Sequence, residues 1–325
     1  MNHLEYIIFT CYLSYLLPHP QCAENLRFYV LKLPSTVAFP LEYFLLRFAQ
    51  MVLTILPRSW GLALGSLCGS LICRIGIYRA TVRINLEHVG LWTAAENDRI
   101  TRALYRNIGR YAVDFLRPAR PLPHHTVHDY DKIEPLLQQG KGAVVILGHL
   151  GNWEMLATIF GEKTGRLHVI AKNMNNKIVD RWLLAKRTAS SVSTIYTRQA
   201  LRKMLEVLKN DGIIAILIDQ FQKRHGAPVP FLGKEAKTVR TVAGIVRKTG
   251  CNVLSTSALM RPDGTYDVLM YLVPEPVLDG LSEEEAVTAY QKVHNEVISA
   301  QIRANPEHWF GWFHRRFRGY ITYGR

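Results

Sequence analysis

From residue 140 onward, short uninterrupted apolar runs alternate with amphipathic ones. GAVVIL at 142–147, LHVIA at 167–171, IIAILI at 213–218, NVLSTSAL at 252–259 and YDVLMYLV at 266–273 each have the length of a strand. Helical periodicity fills the intervals: up to about Gly165, over 178–190, over 198–210 with Thr197 as the cap, and from Thr238 onward. Ser282 followed by Glu285 forms a capping box before a helix that runs to about Ala304. Continuous apolar strands between helices require a sheet covered on both faces. The fold class is therefore α/β, a central mostly parallel or mixed sheet flanked by helices.

The first quarter of the chain has a different pattern. Residues 7–17 are apolar but too short to span a bilayer comfortably, and Glu5 stands where a signal peptide carries basic residues. Prolines 18, 20, 34 and 40 break the chain. Two longer apolar stretches follow, 41–56 and 59–73, the second flanked by Arg58 and Arg74. Gly61, Gly65 and Gly69 line one helix face, which allows close approach of a second helix in a soluble domain or in a membrane. Arg74, Arg79 and Arg83 form a basic stripe suited to lipid headgroups or to solvent. Helical pattern continues to about residue 116, and Pro-rich 117–123 reads as a linker. The domain reading is an apolar, membrane-associating helical region over residues 1–78 and an α/β domain over 79–325.

Composition narrows the function. The 325 residues are 48% apolar and 20% charged, which suits a large buried core and excludes a disordered chain. A formal charge of +14 favours partners bearing phosphates or carboxylates. Five scattered cysteines form no metal-ligand spacing and suit a reducing compartment. His124 and His128 have the spacing of a metal pair, but beside prolines and without a third ligand they read as an exposed loop. No metal or cofactor is called for.

In α/β sheets, ligands gather outside the carboxyl ends of the strands. Two strand ends carry reactive side chains, His149 and Asp219. An acid follows a histidine by five residues at His19/Glu24, His124/Asp129 and His149/Glu154, where chance gives about one such pair. Only His149 follows a buried strand and opens a helix. Glu154, in the first turn of that helix, can fold back to orient the imidazole, which then takes a proton from a hydroxyl. Asp219 is either a ligand-facing group or a solvated strand end. The tail, with Trp309, Trp312, His314, Arg315, Arg316 and Arg318, is either an anion-binding surface or a packed aromatic face with its basic residues outward.

His149-Leu-Gly-Asn-Trp-Glu154, Asp219-Gln220, Val229-Pro230-Phe231-Leu232-Gly233 and Trp309…Trp312-Phe313-His314-Arg315-Arg316 stand in one order. That order resembles the bacterial lipid A late acyltransferases, lauroyl and myristoyl transferases of the lysophospholipid acyltransferase-like group. The similarity runs from about Leu41 to Arg318 and includes the Arg83…Asn85-Leu86 step. Residues 1–40 have no counterpart and read as an added anchor or a misassigned start.

The resemblance implies a glycerolipid-acyltransferase-like fold on the cytoplasmic face of the inner membrane. The enzyme would move an acyl chain from acyl carrier protein to a hydroxyl of a membrane glycolipid, a lipid A precursor, without nucleic acid. It makes His149 and Glu154 catalytic and Asp219, Arg187, Asn176, Arg315 and Arg316 substrate-binding. Lys172-Asn173 stands where the family has Arg-Pro. The residues alone also admit a lipid or thioester hydrolase using the same His/Glu pair, or a non-catalytic protein that binds anionic lipid or RNA.

Overall fold

The computed structural model describes residues 34–323, apart from 119, 198–199 and 223–225. The apolar run at 7–17, the His19/Glu24 pair and the charged loop 223–225 lie outside the described residues. The chain opens with four helices: α1 (Ser35–Ile55), α2 (Arg58–Ile75), α3 (Arg79–Val89) and α4 (Ala94–Leu116). Helix α4 starts at a capping box in which Thr93 and Glu96 satisfy each other's backbone N–H groups.

Helix α2 lies antiparallel against α4 on its glycine face. A Cβ at Gly69 would stand 2.0 Å from the Tyr105 carbonyl oxygen, and one at Gly65 would stand 2.4 Å from that of Gly109. Only a side-chain-free stripe lets these backbones meet. The opposite faces are apolar and exposed. Val37, Leu41, Phe44, Phe48, Met51 and Ile55 line one stripe of α1, and Trp60, Leu64, Leu67, Leu71 and Ile75 line one of α2. Both stripes follow the three-and-four spacing of a single helix face. Helix α1 is long and apolar enough to cross a membrane.

The α/β part follows as β1 (His125–His128), α5 (Tyr130–Leu137), β2 (Ala143–Leu147), α6 (Trp153–Thr164), β3 (Leu167–Ala171), α7 (Lys177–Thr188), β4 (Val192–Tyr196) and α8 (Ala200–Lys209). It continues as β5 (Ile213–Leu217), β6 (Ala227–Phe231), β7 (Lys234–Thr238), α9 (Thr241–Thr249), β8 (Asn252–Met260), β9 (Tyr266–Leu272) and α10 (Glu283–Ala304). Seven strands form one mixed sheet in the order β1-β9-β8-β2-β5-β3-β4. The pairs are parallel except β8 with β9. Every residue of central β2 is buried, as its unbroken apolar run requires. The Ser282/Glu285 capping box opens α10 as the sequence indicates.

Three details differ from the sequence reading. Residues 125–128 are an edge strand beside β9 and not an exposed loop, with His128 Nε2 2.6 Å from Asp267 Oδ1. Thr238 ends β7, and the helix expected there begins at Thr241. Residues 227–238, given no strands in the sequence reading, form a separate hairpin, β6–β7, whose corner residues Leu232 and Gly233 both have positive φ. That pair gives a two-residue turn matched to strand twist.

Candidate active site

Strands β2 and β5 are parallel neighbours, with Leu147 opposite Leu217. Two residues further along each strand, His149 and Asp219 therefore face each other. His149 Nδ1 lies 2.7 Å from Asp219 Oδ1, and the His149 backbone N–H donates to Oδ2 at 2.7 Å. The Trp309 indole N–H donates to the same Oδ2 at 2.7 Å. Both His149 and Asp219 are buried, the aspartate 1% exposed. An ionised carboxylate only accepts, so Nδ1 carries the proton and Nε2 presents its lone pair. Nε2 faces Gln220, whose side-chain nitrogen lies 3.1 Å away. The Trp153 ring meets the imidazole edge-on at 5.0 Å between centroids.

The carboxylate against the imidazole Nδ1 is that of Asp219, and Glu154 pairs with Arg187. Glu154 sits in the first turn of α6, which Asn152 caps by accepting from the Met155 N–H. Its carboxylate takes Arg187 in a two-pronged ion pair, at 2.6 Å from Nη2 and 3.2 Å from Nε. Both side chains are nearly buried. A cleft beside this pair is lined by Arg58, Asp114, Asn152, Glu154, Lys186 and Arg187. Tyr266 links two of these groups: Asn152 donates to its hydroxyl at 3.1 Å, and the hydroxyl donates to Asp114 at 2.8 Å.

A profile of the bacterial lipid A biosynthesis acyltransferases matches residues 35–319. The chain belongs to this family. It is similar to the phosphatidylinositol mannoside acyltransferase of Mycobacterium tuberculosis, with 24% identity across 70% of this chain and 74% of that protein. The Mycolicibacterium smegmatis protein of the same name is 25% identical, across 70% of this chain and 76% of the relative. The protein is thus an acyltransferase, and the His149–Asp219 pair stands at the strand ends where its fold gathers ligands.

Electrostatics in the acyltransferase follow from burial. Desolvation alone would raise the Asp219 carboxyl. Attraction to the His149 ring in its protonated form and the hydrogen bonds from that ring, Trp309 and the His149 N–H outweigh it and hold the carboxyl well below its ordinary value. Burial pushes the Lys186 ammonium down to about 8 against the pull of Glu154 and Asp114. Its Nζ donates to the carbonyls of Phe115 and Arg117 at the end of α4.

The remaining sequence candidates fall in other places. Asn176 caps α7, accepting from Ile178 and Val179, and its amide donates to the Phe39 carbonyl and Glu42 at 3.0 Å each. It joins α7 to α1. The tail is the packed aromatic face: Trp309, Phe310, Trp312, Phe313 and Phe317 are all buried. Arg316 is 0% exposed, so its charge is not presented to an anionic partner. It donates to the carbonyls of Gln220 (3.0 Å) and Lys237 (2.6 Å) and to Thr238 Oγ1 (2.9 Å). Burial pushes its guanidinium down to about 10. Arg315 is exposed and stacks over Tyr323. Sequence reasoning gave no role to Trp309, His314 or the Gln220 side chain. Trp309 reaches Asp219 across 90 positions, and no local pattern encodes that contact.

Proposed function

We propose that this acyltransferase moves a fatty acyl chain from the thioester of acyl carrier protein to a hydroxyl of a membrane glycolipid, a lipid A precursor. The observation that carries the reading is the His149 imidazole, protonated at Nδ1 against Asp219 and with the Nε2 lone pair facing the Gln220 amide, which an acceptor hydroxyl can displace. The acceptor hydroxyl gives its proton to Nε2, and its oxygen bonds to the thioester carbonyl carbon. The carbonyl electron pair moves to oxygen. Collapse of this adduct breaks the C–S bond, and the proton on His149 passes to the leaving thiolate.

Glu154 acts through Arg187, and the pair lines the acceptor side of the cleft. Arg315, exposed on the tail, supplies an anion contact to donor or acceptor. The +14 charge suits an acidic carrier protein and acceptor phosphates. The exposed stripes of α1 and α2, within residues 1–78, lie on the inner membrane, with Arg74 and Arg79 toward headgroups. The free cysteines Cys73 and Cys251 suit the cytoplasmic face. The named relatives support a glycolipid acceptor, and a phosphatidylinositol mannoside is the second acceptor to test.

The test supplies the full-length protein in vesicles with lauroyl-acyl carrier protein and either acceptor. Mass spectrometry should find the lipid A precursor heavier by one acyl chain. Free laurate alone, independent of acceptor, would overturn the reading in favour of a hydrolase.

A further inference from the structure

Acyl transfer of the kind proposed above builds negative charge on the former carbonyl oxygen, and that charge needs a fixed hydrogen-bond donor near His149 Nε2. The turn after β2 would be a natural source, but three of its backbone N–H groups are already engaged. The N–H of His149 donates to Asp219, that of Gly151 to the His308 carbonyl, and that of Asn152 to the Ala258 carbonyl. Arg187 is committed to Glu154, and Arg316 to backbone carbonyls and Thr238. The side chain that does face the reacting nitrogen is Gln220.

Its amide nitrogen stands 3.1 Å from His149 Nε2 and 3.4 Å from His314 Nε2, between two imidazoles whose centroids are 5.9 Å apart. Because Asp219 takes the Nδ1 proton, Nε2 of His149 is an acceptor, and the group facing it must be the NH₂ end of the amide. Gln220 is anchored at both ends. Buried Arg316 donates to its backbone carbonyl oxygen, and His314 borders its side-chain amide. His314 is in turn held by buried Asn85, which donates at 2.8 Å to the carbonyls of both Trp312 and His314.

We infer that the Gln220 side-chain amide is the donor that stabilises the oxyanion, and that His314 is the positioning residue that aims it. The inference rests on the acyl-transfer reading of the His149 site. In the resting site the amide covers Nε2. The acceptor hydroxyl displaces it, and the amide then donates to the former carbonyl oxygen, two bonds from the attacking atom. The charge appears only in the transition state, so the contribution appears in kcat and not in KM.

The experiment measures kcat and KM of full-length Gln220→Ala, Gln220→Met, Gln220→Glu, His314→Ala and His314→Asn with lauroyl-acyl carrier protein and the glycolipid acceptor, alongside His149→Ala. Losing an oxyanion donor costs about 10²–10³ in kcat, so Gln220→Ala should fall by that factor with both KM values held within about threefold. Gln220→Met keeps the size without a donor and should match it. Gln220→Glu should be slower still, because a carboxylate repels the oxyanion. His314→Ala should lose less than Gln220→Ala, and His314→Asn, which restores a polar neighbour, should recover part of that loss. Should Gln220→Met keep more than about a tenth of kcat, or lose activity only through KM, the inference is overturned. If His149→Ala is as active as wild type, the general-base reading itself has failed.

Discussion

Replacing Asp219 by Asn isolates what the buried carboxylate does for His149. The exchange keeps size and shape and leaves one oxygen to accept from Trp309 and the His149 N–H, both at 2.7 Å in the native site. The new NH₂ then faces Nδ1, which must become an acceptor, so the ring proton moves to Nε2 and the base loses its lone pair. Loss of one hydrogen bond to a charged partner costs about 1.5–3 kcal/mol, or about 10- to 150-fold in rate. The inverted tautomer adds to this, and in serine-protease triads the same exchange costs about 10⁴. The expected fall in single-turnover acyl transfer is therefore about 10²–10⁴, with acceptor KM little changed. Stability follows the same carboxylate. Its folded value lies below the ordinary 3.8, so its contribution is present above that pH and is lost as the pH falls through the folded value. The stability gap between wild type and Asp219→Asn should narrow as the medium is acidified. A folded Asp219→Asn enzyme keeping more than about a tenth of the rate would refute the orientation argument.

Glu154→Ala removes the carboxylate that pairs with nearly buried Arg187. It should destabilise the protein in urea denaturation, with Glu154→Ala/Arg187→Ala costing less than the sum of the singles; additive losses would break the proposed coupling. Phe44→Ser with Leu67→Ser removes two exposed apolar anchors, each worth about 1.5–3 kcal/mol when buried. Sedimentation with anionic vesicles should show binding weakened at least about 100-fold, and unchanged binding would remove α1 and α2 from the membrane contact. Lys186 is held at about 8, below its ordinary 10.5, so the folded protein sheds that proton first and gains stability as pH rises between these values. Lys186→Met should lack that rise, and identical profiles would show that the ammonium is not desolvated.

The strand pattern was legible because β2 and β5 lie in the middle of the sheet, where apolar residues fill them without interruption, and buried β8 keeps apolar residues at both ends of its Ser-Thr-Ser centre. Edge strands β1 and β4 are rich in polar residues, His-Thr-Val-His and Val-Ser-Thr-Ile-Tyr; the first read as loop and the second gave no strand signal. Both reactive strand ends were visible as residues, but their pairing was not. Local spacing points His149 to Glu154, five positions away, whereas the parallel register of β2 and β5 brings Asp219 from 70 positions away. Arg316 misled for a similar reason. In sequence it is one of several arginines among aromatics. In the fold, the carbonyls of Gln220 and Lys237 draw it inside, and it braces the end of β5.

The central claim is that His149 is the general base, and acyl transfer by His149→Ala tests it most directly. The rate should fall by about 10²–10⁴ or more with the fold intact by circular dichroism, whereas His124→Ala, which has the same five-residue spacing to an acid, should keep the wild-type rate. A folded His149→Ala enzyme that retains more than about a tenth of the activity would contradict the account.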